Sequence, residues 1–209
     1  NDFTYLDRFH RWTVGLDPRY GELLRDDISN VSVSSEVTYG DCEVEADPEL
    51  FERIWLDFAS GRNFYSLCRT KEFWRWRYVD SPGYKYHYFL NGANDLIVGR
   101  TEDGINPPNS NLPDLKIFRF IEVICTGDKN STQSLLADVL GWAVSNGCCG
   151  ADFQASNSSF DEYFSPIGFS KQLGDYGSGI SSLAGLFNPF QFRPDPINAF
   201  WRVLSNGKK

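Results

Sequence analysis

A single carboxylate, Glu122, interrupts the apolar run from Lys116 to Thr126 (KIFRFIEVICT). Burying a carboxylate is costly unless it is paired. In an apolar setting its proton affinity rises toward that of a general base. On a two-residue period Glu122 shares a face with Phe118, Phe120 and Ile124, and Arg119 points the other way. The alternative is a structural salt bridge to an arginine such as Arg75 or Arg77. Those two arginines flank Trp76. They could clamp a phosphate or carboxylate of a substrate, or else stack on aromatic rings as structural groups. His87, in YKYHYFL, could bind an acceptor or relay a proton, or else be a packed strand histidine. With only two histidines, no Ser-His-Asp or Cys-His arrangement is supported, and no Walker or dinucleotide fingerprint occurs. Hydrolase, kinase and dehydrogenase readings are set aside on that ground.

The elements around Glu122 follow from patterning. Lys116 to Thr126 reads as a buried strand, and Gly127 to Asn130 as a polar turn. Ser131 to Asn146 reads as a helix, with Leu135, Leu136, Val139, Trp142 and Ala143 on one face. Gly147 suits a left-handed cap. Ala151 to Ala155 reads as a second strand, and a short helix follows from about Ser158 to Ser165. Strand, helix and strand in this length predict a parallel βαβ unit with a right-handed crossover. The helix start at Ser131 then opens at the carboxyl end of the first strand, where anionic ligands tend to bind.

Upstream, Asp47-Pro48-Glu49 predicts a capped helix start, followed by Leu50, Phe51, Ile54, Trp55 and Phe58 at helical spacing and Gly61 at its end. Thr70-Lys71-Glu72 predicts a second helix through FWRWRYV, ended before Pro82. Tyr84 to Leu90 and Asp95 to Arg100 predict a hairpin with its turn at Asn91-Gly92, and Glu102 to Pro113 a loop. Phe9 to Leu16 predicts a strand, Arg19 to Asp26 a short helix, and Ser29 to Val44 one or two short strands. Residues 174–196 predict a loop, and Ile197 to Leu204 a closing strand.

Two phrases carry a family resemblance. Asn157, Gly168 and Phe169, in NSSFDEYFSPIGF, keep the spacing Asn-x6-Tyr-x3-Gly-Phe. FWRWRYVDSPGYKY resembles a helix-to-strand passage of bacterial two-half proteins of the sugar N-acyltransferase type. Both resemble the GNAT-like acyl-CoA N-acyltransferase superfamily, well over 47–209 and loosely over 1–46. The resemblance implies an α/β (α+β) fold with a mixed, mostly antiparallel sheet flanked by helices. It also implies a sheet that splays beside the helix at Ser131. The activity it implies is transfer of an acyl group from acyl-CoA (acetyl-CoA) to a primary amine, a small-molecule acceptor such as an amino sugar.

Several residue roles follow from the same resemblance. Glu122 is the base. Tyr163 is the candidate to protonate the departing thiolate. Ile124, Cys125, Thr126 and Gly127 orient the acyl carbonyl. Ser131, Thr132, Gln133, Ser134 and Asn157 serve the cofactor. From the residues themselves, not from the resemblance, Arg75, Arg77 and His87 are the candidates to meet the acceptor. Two departures stand out. The tyrosine position holds Phe164, with Tyr163 about 100° away around a helix. The phosphate turn lacks the family's arginine and glycines. The alternative function is therefore a non-catalytic GNAT-like binding or structural module.

Net charge is −8, and the only basic block is Lys208-Lys209. That disfavours nucleic acid and anionic membranes as partners. No run of 18 apolar residues occurs. Five cysteines without metal spacing predict reduced thiols, with Cys125 and Cys148 in the core, no metal and a cytoplasmic setting. The chain does not begin with methionine. Residues 1–46 are expected to be a lead-in, the end of a preceding half, with 47–209 the GNAT-like domain. Its expected partner is another such half or a second copy.

Overall fold

The computed structural model describes residues 10–17, 42–60, 67–104, 115–155 and 158–172. Strands β1 (His10–Gly15) and β2 (Glu43–Val44) are followed by helix α1 (Pro48–Ala59). Helix α2 (Lys71–Trp74) continues as a wider π-helical turn over Arg75–Val79. Then come β3 (His87–Leu90), β4 (Leu96–Gly104), β5 (Leu115–Ile124), α3 (Lys129–Ser145) and β6 (Gly150–Ala155). A 3-10 turn at Ser158–Phe160, helix α4 (Asp161–Phe164), a second 3-10 turn at Ser165–Ile167 and β7 (Ser170–Gln172) complete the described chain. The helix expected at Arg19–Asp26, most of Ser29–Val44, the loop 174–196, the closing strand Ile197–Leu204 and Asn157 lie outside the described residues.

The described strands form one sheet in the order β2-β3-β4-β5-β6-β1-β7. Only β5 and β6 run parallel, joined through α3. Every other neighbouring pair is antiparallel. This is the mixed, mostly antiparallel α+β sheet expected. β1 lies between β6 and β7 and buries Trp12 completely.

Local chemistry accounts for the helices. Asp47 Oδ1 accepts the Leu50 amide at 3.0 Å, and Pro48 opens α1, so the helix begins where its unpaired amides can be capped. Thr70 Oγ1 accepts from the Phe73 amide at 3.3 Å. The Asp80 amide reaches back five residues to Arg75 O at 2.8 Å, which makes the turn before Pro82 wide. α3 starts two residues earlier than its apolar pattern predicts, because Asp128 caps it. Asp128 Oδ1 accepts from the Asn130 and Ser131 amides at 2.8 and 3.0 Å. Gly147 ends it with φ +78°. The β3–β4 turn spans Asn91 to Asp95 rather than Asn91-Gly92, with the positive φ (61°) at Asn94. β4 also runs on through Glu102 to Gly104, where a loop was expected, because it pairs with β5 as far as Gly104↔Leu115.

The sheet buries a different cluster on each face. On one, Phe89, Phe118, Phe120 and Phe153 meet α3 and Phe164 of α4. On the other, Leu96, Val98 and Ile124 meet Phe51, Trp55, Trp74 and Tyr78 of the first two helices. Cys125 and Cys148 belong to the first cluster, as expected, and burial pushes the Cys148 thiol up to about 12.

Two contacts fix the centre. Gly99 lets the Phe118 ring lie directly over the backbone: a Cβ there would sit 2.1 Å from Phe118 Cζ. That ring is fully buried and edged by Phe89, Phe120 and Trp142, so it has nowhere to retreat. Gly99→Ala is therefore expected to destabilise the chain by about 1–3 kcal/mol in urea melts.

Asp152, 2% exposed, bridges Arg11 of β1 and Arg119 of β5. Burial alone would push its carboxyl up, but Arg119 and Arg11 hold it below its ordinary 3.8. A carboxyl depressed in the folded state contributes stability above its unfolded value and loses it as pH falls through the folded value. Stability is thus expected to drop as the pH is lowered below about 4. Asp152→Asn, which removes the carboxylate from between buried Arg11 and Arg119, the latter keeping Glu102 at 3.2 Å, is expected to cost about 3 kcal/mol at pH 7 and to flatten that acid limb.

Candidate functional site

The site begins where the parallel strands part. The β5–β6 ladder runs from Ile117↔Gly150 to Phe120↔Phe153. β5 nevertheless continues to Ile124 and β6 to Ala155. At the same level the β4–β5 register slips: Gly99 faces Phe120 and Val98 faces Glu122, so Ile121 is an extra residue on β5. A bulge of this kind bends its strand and resets which face the following side chains take.

That reset corrects the two-residue reading of Glu122. Phe118 and Phe120 face α3, but past the bulge Glu122 turns to the α1/α2 face, the face of Ile124. There its Oε1 accepts the Tyr78 hydroxyl at 2.6 Å. Arg69 donates from Nη2 to Oε2 at 3.0 Å, with longer contacts to Oε1. Both ion-pair partners keep slight exposure, 17% and 16% of their side chains. The salt-bridge partner is thus Arg69, not Arg75 or Arg77. Arg69 also stacks 4.0 Å over the Trp55 ring. Burial, and then the Glu122 charge, push the Tyr78 phenol well above its ordinary value, so Tyr78 is a hydrogen-bond donor here. The wide π turn carries Tyr78 inward and leaves Trp76 exposed.

The turn from β5 into α3 is held by a residue from the neighbouring hairpin. Asp95, 1% exposed, accepts the Thr126 and Gly127 amides on Oδ1, both at 2.7 Å. Its Oδ2 accepts Thr132 Oγ1 at 3.1 Å and Asn91 Nδ2 at 2.8 Å. Asn91 Nδ2 also reaches Ser131 Oγ at 2.9 Å. Ile124, Cys125 and Thr132 are buried, Ser131 and Gln133 half-buried, and Ser134 is exposed. Gln133 ties α3 to α4 through Glu162 O, 2.9 Å. The amides of Thr126, Gly127, Asn130 and Ser131 are therefore all donated to carboxylates of this chain.

The remaining candidates are spread apart. Arg75 is exposed and pairs with Glu49 at 3.5 Å. Arg77 lies beside Tyr78, its guanidinium 5.8 Å from the ring. His87 sits on the α3 face, away from Glu122. Its Nδ1 is 2.7 Å from Glu43 Oε1, its ring meets Trp142 tilted at 52° with centroids 4.5 Å apart, and Trp142 Nε1 donates to Glu43 Oε2 at 2.8 Å. Phe164 is fully buried, stacked on Phe153 at 4.8 Å. Tyr163, one residue earlier, is half-buried beside Phe160. Sequence reasoning missed Arg69, Tyr78 and Asp95. The available signals were an aromatic run at helical spacing for Tyr78 and an acidic residue abutting an apolar strand for Asp95. Among the described residues no group of three His, Cys, Asp or Glu side chains could hold a metal, and no helix is long and apolar enough to cross a membrane.

No protein-family model matches the sequence, and no curated protein matches it. Solved structures do match. A crystal structure of Saccharomyces cerevisiae N-myristoyltransferase with bound myristoyl-CoA and inhibitors aligns at TM-score 0.59 and 9% identity, over 80% of this chain and 47% of that one. Two further structures of that enzyme with bound myristoyl-CoA align at TM-scores 0.52 and 0.55, with 10% and 11% identity. They cover 79% and 80% of this chain, and 45% and 48% of theirs. The chain spans about half the length of these structures. Likeness at this identity speaks to fold, and the fold of this chain is that of the GNAT-like acyl-CoA N-acyltransferases.

Proposed function

We propose that this chain transfers an acyl group from an acyl-CoA thioester to a primary amine, an amino sugar being the acceptor class the sequence favours. The observation that carries this reading is the coincidence of three features at one level of the sheet. The parallel ladder ends at Phe120, the bulge falls at Ile121, and the next residue, Glu122, presents a carboxylate hydrogen-bonded to a phenol. The acyl-pantetheine arm would enter between β5 and β6 beyond Phe120, with the β5 backbone from Ile121 to Cys125 orienting the thioester carbonyl. The amine would approach from the α1/α2 face. Its nitrogen attacks the carbonyl carbon, the C–S bond breaks, Glu122 takes the amine proton, and the thiolate is protonated by Tyr163 or water.

The phosphates fit only in part. Asp95 fills the inner amides of the β5–α3 turn, and Asp128 caps the outer ones. Asp128 is exposed, and an exposed cap is worth about 1 kcal/mol, so the pyrophosphate would approach there, near Lys129 and Ser131 to Ser134. A second reading, a module with this fold and no acyl-CoA chemistry, is favoured by one observation: the Glu122 carboxylate is already engaged by Arg69.

Calorimetric titration with acetyl-CoA and myristoyl-CoA separates the two. Micromolar binding that weakens about fivefold in Ser134→Glu, a charge placed in the first turns of α3, is expected for the enzyme. Absence of binding by folded protein supports the module. With a responsive amine in hand, Glu122→Gln is expected to lower the acylation rate by about 10²-fold with little change in acyl-CoA affinity. An unchanged rate would remove Glu122 from the chemistry.

A further inference from the structure

We infer that Asp95 is an internal anion: its carboxylate occupies the anion-binding concavity of the β5–α3 turn, holds that turn in shape and closes the Thr126 and Gly127 amides to external phosphate. Four donors converge on this one carboxylate, two of them consecutive backbone amides meeting the same oxygen at 2.7 Å. Consecutive amides pointing into one concavity form an anion nest. The other two donors, Thr132 Oγ1 and Asn91 Nδ2, satisfy the second oxygen. Among the described residues no lysine or arginine pairs with Asp95, so neutral donors and the start of α3 compensate the carboxylate.

The seat is cut to fit. A Cβ on Gly127 would stand 3.1 Å from Asp95 Oδ2 and 2.8 Å from the Ala93 methyl, so bare backbone is needed for the carboxylate to come this close. The hairpin delivers the carboxylate rigidly. Asn91 Oδ1 accepts the Ala93 and Asp95 amides at 3.0 and 2.9 Å, and Thr126 Oγ1 donates to Ala93 O at 2.8 Å. An exposed cap such as Asp128 can swing away, whereas releasing Asp95 would leave the Thr126 and Gly127 amides without the acceptor that both share. Any phosphate-bearing ligand of this chain is therefore confined to the outer, Asp128-capped amides.

The role of Asp95 is independent of the acyl-transfer reading and is tested without it. Wild type, Asp95→Ala and Asp95→Asn are compared as full chains by thermal melting and amide NMR, with and without inorganic pyrophosphate at matched ionic strength. The wild type is expected to keep its Thr126 and Gly127 amide positions throughout the titration. Asp95→Ala is expected to melt roughly 5–10 °C lower. Pyrophosphate should recover at least half of that loss while moving those two amides. Asp95→Asn retains one acceptor oxygen but sets an NH2 against Asn91 and Thr132. It serves if the alanine variant does not fold, with a smaller loss and a partial recovery expected. Saturable movement of the two amides in the wild type overturns the inference, and so do folded variants that melt with the wild type or gain nothing from pyrophosphate.

Discussion

The tip of the Phe118 ring presses on the backbone at Gly99, and the β4–β5 register slips immediately beside that contact. The extra residue at that slip sets the course of β5 from Ile121 onward. Up to Phe120, β5 alternates strictly and pairs with β6. Beyond it, one extra residue turns Glu122 toward the first two helices, and the parallel ladder stops. A strand that stayed in register would have pointed the Glu122 carboxylate into the aromatic cluster under α3, where no charged partner from the α2 side could reach it. The bulge instead places it against Tyr78 and Arg69, where the carboxylate keeps slight exposure.

The second constraint is electrostatic. A helix start at the end of a central strand is a favourable place for an anion, and this chain supplies two of its own. One is an ordinary exposed cap. The other, Asp95, comes from the neighbouring hairpin and couples β3, β4, β5 and α3 at a single buried point. The fold is shared with enzymes that carry myristoyl-CoA in their crystal structures, yet the corner beside α3 is arranged to be complete before any ligand arrives.

Much of this architecture could be read from residue spacing. Asp47-Pro48 and Gly147 marked helix ends because capping and left-handed backbone leave local signatures, and the strand–helix–strand order fixed the parallel pair. The bulge was not legible, because a register slip between β4 and β5 is a cross-strand feature that no local period records. For the same reason Glu122 was assigned to the wrong face and to the wrong arginines. Arg75 and Arg77 lie closer to Trp76 and the aromatic run, but the π turn directs Tyr78 inward and leaves Arg69, outside the helix, as the partner. Asp95 read only as the first residue of a strand, because three of the four groups that fill its acceptors lie 31 to 37 positions away, a separation at which sequence pattern carries no information.

The central claim is that the gap between β5 and β6 beyond Phe120 receives an acyl thioester. It is tested most directly by amide NMR of the chain with a non-reactive thioether analogue of myristoyl-CoA. The largest saturable shifts are expected on Ile121 to Cys125 and on Phe153 to Ala155, the two strand ends that part company. Shifts confined to other surfaces, or none at saturating analogue, would contradict it.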